Sequence, residues 1–534
     1  MNIKSKKCSI VMIVFFGMFI FLIYKLYSIA CIKNAALMTS FNAQNTSFER
    51  TTDLNYNVLD TNGKQFLNYN QEYYAVINPY IFLKNNSDTN MYDLRALTYT
   101  LRSYNKDYDL FNDSIKTENQ KLYWRIDEDT YNKIKDIKDV NGFYDYIYNK
   151  VDRSEAADIS NIITNIKDNN NKDKDKNSLE YEIANRLKNN SYMEKAFERD
   201  VYGNLTNIRD INNNSSVNVK LTIDKEMNDK VNKVLNEDEF KNYNQISAVV
   251  MESDTGKIRA LTQKNPNRGN ENAGIEDGYL FPGSIFKTIV EEAALESNSI
   301  TTTQRFQDTG KYNQEGRTGS YTANEAYIVS SNEAFMKIGN LTGYDNIYKY
   351  AKAQGIFDKV LGLNYEQYAI PKLDPNSVGD ISLMSIGQKF RITPLEALSI
   401  PNTVINNGVY VKPSIIEEYI DGDGKVVYTP DTTSKNVLST NTANIMKEEM
   451  RQVIANKKGT AQLAYVPNND IGGKTGTSTR IEKEKHVDGW FVGFFKIKNK
   501  YYSAVVQVPD IKNSEEAGNT AVPVFKKIVE ELNK

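Results

Sequence analysis

FPGSIFKT, residues 281–288, places Ser284 three residues before Lys287, directly after a proline–glycine turn signal. The run that follows, SIFKTIVEEAALES, reads as a helix. Residues i and i+3 share a helix face, so Lys287 is expected beside the Ser284 hydroxyl. One reading makes Ser284 an N-cap, a position that serine favours. The other makes it a nucleophile. A serine hydroxyl needs a neighbouring base, and lysine serves when burial or a second cation lowers its pKa. A helix N-terminus adds N–H groups for an oxyanion. The spacing alone does not choose, because Ser103-Tyr104-Asn105-Lys106 repeats it.

Two further motifs change the weighting. Ser330-Ser331-Asn332 supplies a hydroxyl and an amide two residues apart, ahead of the helical run EAFMKIGNL. Its plain reading is a helix cap. Lys474-Thr475-Gly476 lies in GGKTGTS, where glycines let a strand edge approach a ligand closely. Its plain reading is a glycine-rich turn. The order S-x-x-K, S-x-N, K-T-G is far less common than any one of the three.

The surrounding texture predicts an α+β domain. VKLTID reads as a strand, and KEMNDKVNKVLNE as a helix with Met227, Val231 and Val234 on one face. ISAVVMES and KIRALTQ read as a hairpin across Asp254-Thr255-Gly256, and DGWFVGFFKI with YYSAVVQVPD as a second hairpin. AVPVFKKIVEELNK is an amphipathic helix with Val522, Phe525, Ile528, Val529 and Leu532 on one side. The expected sheet joins the first hairpin to the last, with helices between.

Composition removes several alternatives. Charge is nearly balanced, 66 Lys+Arg against 68 Asp+Glu, so no global basic surface argues for nucleic acid. With two cysteines and one histidine, a His/Cys metal centre is not expected, nor any cofactor. A Ser-His-Asp triad would need His486, which sits in EKEKHVDG and reads as a solvated loop.

The N-terminal stretch reads as a membrane segment. Lys4, Lys6 and Lys7 precede an uncharged run from Cys8 to Tyr24, and apolar character resumes after Lys25. The expected division is a cytoplasmic tail at 1–7, a single transmembrane anchor at 8–32, a non-catalytic pedestal of dimerisation type at 33–216, and the main domain at 217–534. The positive flank places the bulk of the chain outside. Ser28-Ile29-Ala30 has the small-x-small pattern of a cleaved signal, the competing reading. The run 165–178, NIKDNNNKDKDKNS, reads as a solvated excursion, and Ser191–Asn213 as a connector.

The three motifs together are those of penicillin-binding proteins and class A β-lactamases, with S-D-N as the usual middle form. FPGSIFK, SSNEAF and GGKTGTS resemble blocks of class B penicillin-binding proteins. So do VKLTID, AVVMESDTGKIRAL, SIGQKFRITPLEAL, INNGVYVKP and DGWFVGF, which together cover most of residues 217–534. Arg50 and the run from Val58 to Gly63 loosely resemble that family's opening pedestal motif. One departure is Lys389, where the family often has glycine.

The resemblance implies a β-lactamase/transpeptidase-like fold, an antiparallel sheet flanked by helices after an irregular α+β pedestal. It implies a peptidoglycan D,D-transpeptidase that cross-links stem peptides and is blocked by β-lactams. Ser284 would attack the penultimate D-Ala carbonyl, and neutral Lys287 would take its proton. Ser330 would relay a proton to the leaving amine, and Asn332 would hold the substrate amide and Lys287. Lys474 would add positive potential. Thr475 and Thr477, flanking Gly476, would bind the terminal carboxylate, with Ser284 and Thr477 N–H groups as the oxyanion hole. The implied partners are a D-Ala-D-Ala donor stem, a neighbouring-stem amine, the membrane and a SEDS-family polytopic glycosyltransferase. The alternatives are a D,D-carboxypeptidase or β-lactamase, with water as acceptor, and a non-catalytic wall-synthesis scaffold.

Overall fold

The computed structural model describes residues 3–32, 45–86, 91–117, 120–154, 158–168, 170–200, 202–211, 216–275, 278–312, 318–482 and 484–534. Residues 1–2 of the expected tail and 33–44 at the start of the expected pedestal lie outside the described residues. Two compact units interleave along the chain. One comprises Met1–Asn55, Tyr69–Val151 and Ser191–Asn213; the other comprises Tyr56–Asn68, Asp152–Asn190 and Asn214–Lys534.

The larger unit is built on a five-stranded antiparallel sheet. Its strands are β1 (Ser247–Glu252), β2 (Ile258–Gln263), β3 (Gly472–Ile481), β4 (Lys485–Ile497) and β5 (Lys500–Ile511). The spatial order is β2-β1-β5-β4-β3. The join between the two predicted hairpins is the β1–β5 pairing, which sets Val249 opposite Val505. Helix α5 (Ala521–Leu532) and the helix Ser399–Ile405 both pack against β4 and β5. Every residue of β1 is accordingly buried, as are Val487–Phe495 of β4. A sheet covered on both faces reads as continuous apolar runs, and SAVVM and GWFVGFF have that form. On α5, Val522, Phe525, Ile528 and Val529 are buried, while Leu532 at its end is only partly so.

Four more helices complete the frame of the site: α1 (Lys287–Glu296), α2 (Ala323–Val329), α3 (Asn332–Thr342) and α4 (Thr440–Ala455). The predicted helix after VKLTID runs Lys225–Leu235, started by Asp224 accepting from Met227 N–H at 3.1 Å. It buries Val231, Val234 and Leu235, with Met227 half-buried. VKLTID supplies the strand Asn218–Leu221, which pairs in parallel with Val58–Leu59.

Several sequence expectations need correction. Lys485 begins β4, so His486 is in a strand opposite Arg480, its Nδ1 2.7 Å from Asp510 Oδ1. The run 165–178, by contrast, is mostly exposed among its described residues, as expected of a solvated excursion, with the Asp168 carboxylate accepting from Asn170 and Lys172 N–H at 2.8 and 2.9 Å. Ser191–Asn213 is no connector. In the smaller unit it forms the strands Glu194–Arg199 and Leu205–Ile211, the first pairing with Thr46–Arg50. Its polar sequence hid this because tertiary pairing overrides weak strand propensity.

The smaller unit also carries the antiparallel sheet Leu122–Ile126, Tyr69–Ile77 and Phe143–Val151. Ala75, Ile77, Leu97, Leu101 and Ile134 form its core. Arg50 lies with its guanidinium 3.4 Å from the centre of the Tyr192 ring. The helix Ile3–Tyr27 precedes this unit's first strand, and Ile10–Ala30 is long and apolar enough to cross a membrane, with mean hydropathy 2.3.

Candidate active site

Ser284 does not cap a helix. Gly283–Phe286 form one 3-10 turn leading into α1, and no side chain caps either element. Ser284 is left partly exposed, while Ile285, Phe286 and Lys287 are buried. The turn is fixed from several sides. Gly283 N–H donates to Gly387 O, and Trp490 Nε1–H to Phe281 O, each at 3.0 Å. Gly283 has φ +57°, and a Cβ there would stand 2.6 Å from Thr477 O. A Cβ on Gly476 would stand 2.5 Å from Pro282 O. Glycine at both positions lets the serine turn lie directly on β3.

The cap of α3 is Ser331, the middle residue of the second motif. It accepts from Ala334 N–H at 3.2 Å and donates to buried Asp308. Ser330 instead ends α2 in a left-handed conformation, φ 58° and ψ 42°. That conformation is uncommon for a residue with a Cβ.

Ser330 Oγ is the meeting point of two buried lysines. Lys287 Nζ donates to Ser330 O at 2.8 Å, to Asn332 Oδ1 at 2.8 Å and to Ser330 Oγ at 3.3 Å. Lys474 Nζ donates to Ser330 Oγ at 2.9 Å and to Thr475 O at 3.2 Å. Both lysine side chains are fully buried. Two ammonium groups held against one oxygen repel, and loss of a single proton relieves that repulsion. Asn332 is oriented by its Nδ2–H, which donates to Tyr312 O at 3.3 Å.

K-T-G lies within β3, not in a turn, and β3 is one of the two edge strands of the sheet. Thr475 Oγ1 is 2.6 Å from Thr460 Oγ1, and Thr477 Oγ1 accepts from Ala517 N–H at 3.0 Å. In an antiparallel strand a residue's N–H and C=O point to the same edge. Thr477 O faces Gly283, so Thr477 N–H faces the serine turn as well. Ser284, Ser330, Asn332, Thr475 and Thr477 line one cleft of about 730 Å³. The structure therefore gathers Ser284, Ser330, Asn332, Thr475 and Thr477 at the cleft surface, sets Lys287 and Lys474 beneath it, and uses Gly476 as the contact point with the turn. Ser103 and Lys106 are exposed at the end of the helix Met91–Tyr104, in the other unit.

Buried carboxyls stand behind this surface, Glu291 and Glu292 on α1 and Glu449 on α4. Burial first, and then its hydrogen-bonded neighbour Glu449, hold Glu291 well above the usual carboxylate range, with Lys474 acting in the opposite direction. Burial pushes Glu292 up to about 8. Its Oε2 accepts from Gln354 Nε2 at 2.6 Å.

Sequence reading missed Thr460, Gln388, Tyr312 and the 513–519 loop, all of which border the cleft. They come from separate loops, and only Gln388 lies within a block quoted above, SIGQKFRITPLEAL. The departure at Lys389 has a local explanation, since its Nζ pairs with Asp380 Oδ1 at 2.6 Å.

Comparisons with known proteins point to one family. Stage V sporulation protein D of Bacillus subtilis is 26% identical over 345 residues, 59% of this chain and 53% of that protein. Penicillin-binding protein PbpB of Mycolicibacterium smegmatis is 25% identical over 317 residues, 53% of this chain and 49% of that one. The chain thus spans about half the length of these curated relatives. A solved peptidoglycan synthetase from Bifidobacterium adolescentis shares the fold, with TM-score 0.64 at 17% identity over 91% of this chain and 96% of that one. Penicillin-binding protein A of Mycobacterium tuberculosis, solved as a ceftriaxone acyl-enzyme, has TM-score 0.51 at 23% identity, covering 60% of this chain and 80% of that one. A family model described as the penicillin binding protein transpeptidase domain matches residues 246–530, a span that opens just before β1, closes inside α5 and contains all three motifs. With the fold, the motifs and this match in agreement, the chain belongs to the penicillin-binding protein transpeptidase family.

Proposed function

We propose that the protein is a serine-type peptidoglycan D,D-transpeptidase that β-lactams acylate at Ser284. The observation that carries this reading is Ser330 Oγ held by both Lys287 Nζ and Lys474 Nζ in the cleft that Ser284 lines. Ser284 Oγ attacks the carbonyl carbon of the penultimate D-Ala, and its proton passes to neutral Lys287 Nζ. The oxyanion receives hydrogen bonds from Ser284 N–H and Thr477 N–H. The C–N bond then breaks, and a proton delivered through Ser330 Oγ lets D-Ala leave as an amine. Asn332 holds the substrate amide, and Thr475 and Thr477 bind the terminal carboxylate beside cationic Lys474. An amine from a neighbouring stem attacks the resulting ester, forms the cross-linking amide and frees Ser284.

In this reading the apolar helix around Ile10–Ala30 anchors the chain, with Lys4, Lys6 and Lys7 on the cytoplasmic side. The catalytic unit then works outside the cell, where stem peptides are displayed. The non-catalytic pedestal is drawn from residues 33–216, of which Tyr56–Asn68 and Asp152–Asn190 fold with the catalytic unit, and a SEDS-family polytopic glycosyltransferase is the expected membrane partner.

The test is covalent labelling by a fluorescent penicillin. The purified protein should carry a stable label that Ser284→Ala abolishes without unfolding. A label that turns over rapidly would make the protein a hydrolase, and a label retained by Ser284→Ala would remove Ser284 as nucleophile. Protease added to protoplasts should digest the chain beyond the anchor, and full protection would reverse the topology.

A further inference from the structure

Thr460 belongs to none of the three motifs, yet it touches the third. It sits in the loop after α4, bracketed by Gly459 N–H to Asn456 O at 2.9 Å and Ala461 N–H to Val453 O at 3.1 Å. A Cβ on Gly459 would stand 2.2 Å from Val453 O, so the loop is closed tightly on the end of the helix. On its other side, Thr460 O would stand 2.8 Å from a Cβ on Gly518. Thr460 is thereby wedged between α4 and the 513–519 loop. From there its Oγ1 reaches Thr475 Oγ1 at 2.6 Å, and both side chains line the cleft.

Proton counting shows what this contact does. Two hydroxyls carry two protons, and the bond between them uses one. Whichever oxygen donates, one O–H of the pair remains to be offered to the cleft. The neighbouring Thr477 Oγ1 accepts a backbone N–H from Ala517, which leaves its own proton to donate. Two hydroxyl donors thus stand side by side, close to the Lys474 ammonium, and that set favours an anion with two oxygens. A hydroxyl polarised by a second hydroxyl is also a stronger donor.

We propose that Thr460 is a specificity-determining residue for the carboxylate end of the acyl donor, acting with Thr475 as a two-hydroxyl relay. This rests on the transpeptidase reading above. The relay aligns the carboxylate, and through it the scissile carbonyl, over Ser284.

The experiment pairs a protein change with a ligand change. Wild type, Thr460→Val and Thr460→Ser, each checked by thermal melting, are acylated with a cephalosporin bearing its free carboxylate and with the neutral methyl ester of the same compound. Thr460→Val should slow acylation by the acid about twofold to tenfold, the scale of a lost neutral hydrogen bond, because Thr475 keeps its own O–H but loses the neighbour that orients and polarises it. It should leave the ester's rate close to wild type, and Thr460→Ser should restore most of the rate with the acid. An equal loss with acid and ester, or no loss with the acid, overturns the inference and leaves the transpeptidase reading standing. A wild-type protein that the acid does not acylate overturns both.

Discussion

Lys287 and Lys474 donate to the same hydroxyl, Ser330 Oγ, at 3.3 and 2.9 Å. One oxygen therefore couples the residue beside the nucleophile to the K-T-G strand. Ser330→Ala removes that oxygen and leaves the backbone carbonyl contact of Lys287 in place. Acylation by a chromogenic β-lactam should slow by about a hundredfold to ten-thousandfold, the range for loss of an acid–base group. A rate within a few-fold of wild type would exclude Ser330 from proton transfer.

The two lysines should respond differently to arginine. Guanidinium does not deprotonate at any working pH, so Lys287→Arg should nearly eliminate acylation. Lys474→Arg keeps a cation and changes its shape, so it should retain measurable acylation. Second-order rates on folded variants, taken across pH, decide the matter. Near-normal acylation by Lys287→Arg would exclude Lys287 as the base.

Gly476→Ala should act through the backbone of the neighbouring turn. Its Cβ would stand 2.5 Å from Pro282 O and 2.8 Å from Ile285 Cγ2, so the turn carrying Ser284 has to move. Overpacking of this kind costs about 1–3 kcal/mol. The melting temperature should fall and the acylation rate should fall with it, although no catalytic side chain has changed. Wild-type acylation in a folded Gly476→Ala variant would show that the turn tolerates displacement.

Glu292 should make stability depend on pH above the usual carboxylate range. Its folded pKa is raised to about 8, against about 4.3 in an unfolded chain, so between those values the folded state binds more protons. Its contribution is complete at low pH and is lost as pH rises towards 8. Glu292→Gln keeps an acceptor for Gln354 and removes the titration. The wild type should therefore lose more melting temperature than Glu292→Gln between about pH 5 and about pH 8. A constant gap between the two proteins would mean that Glu292 does not titrate in that window.

The parts legible in the sequence were those whose signal is local. Both hairpins of the sheet could be drawn because SAVVM and GWFVGFF are apolar without interruption, the mark of strands covered on both faces. Ser284, Ser330 and Lys474 could be singled out because each sits in a short motif. S-S-N could be read as a helix cap, but it holds two serines, and only the fold shows that Ser331 takes the cap and frees Ser330. Thr460 and Ala517 carry no motif at all. They meet Thr475 and Thr477 only because the loop after α4 and the loop before α5 converge on β3. The hairpin Glu194–Ile211 was hidden in the same way, since its polar residues are strands only by virtue of their pairing with Thr46–Arg50 and with each other.

The pairing of Val249 with Val505 has a consequence for how the molecule is made. β1 is synthesised long before its central neighbour β5, with all the helices of the site between them. Until Lys500–Ile511 has emerged, β1 has only β2 beside it, and its other edge, rich in buried valine, has no strand to close it. Pairings between such distant segments are slow to form, and unpaired strand edges invite association with other chains. A nascent chain interrupted before Lys500 should therefore be prone to aggregation and to capture by chaperones. The last hairpin to be translated is the one that closes the sheet, and neither the K-T-G strand nor the serine turn resting on it can reach its working position before then.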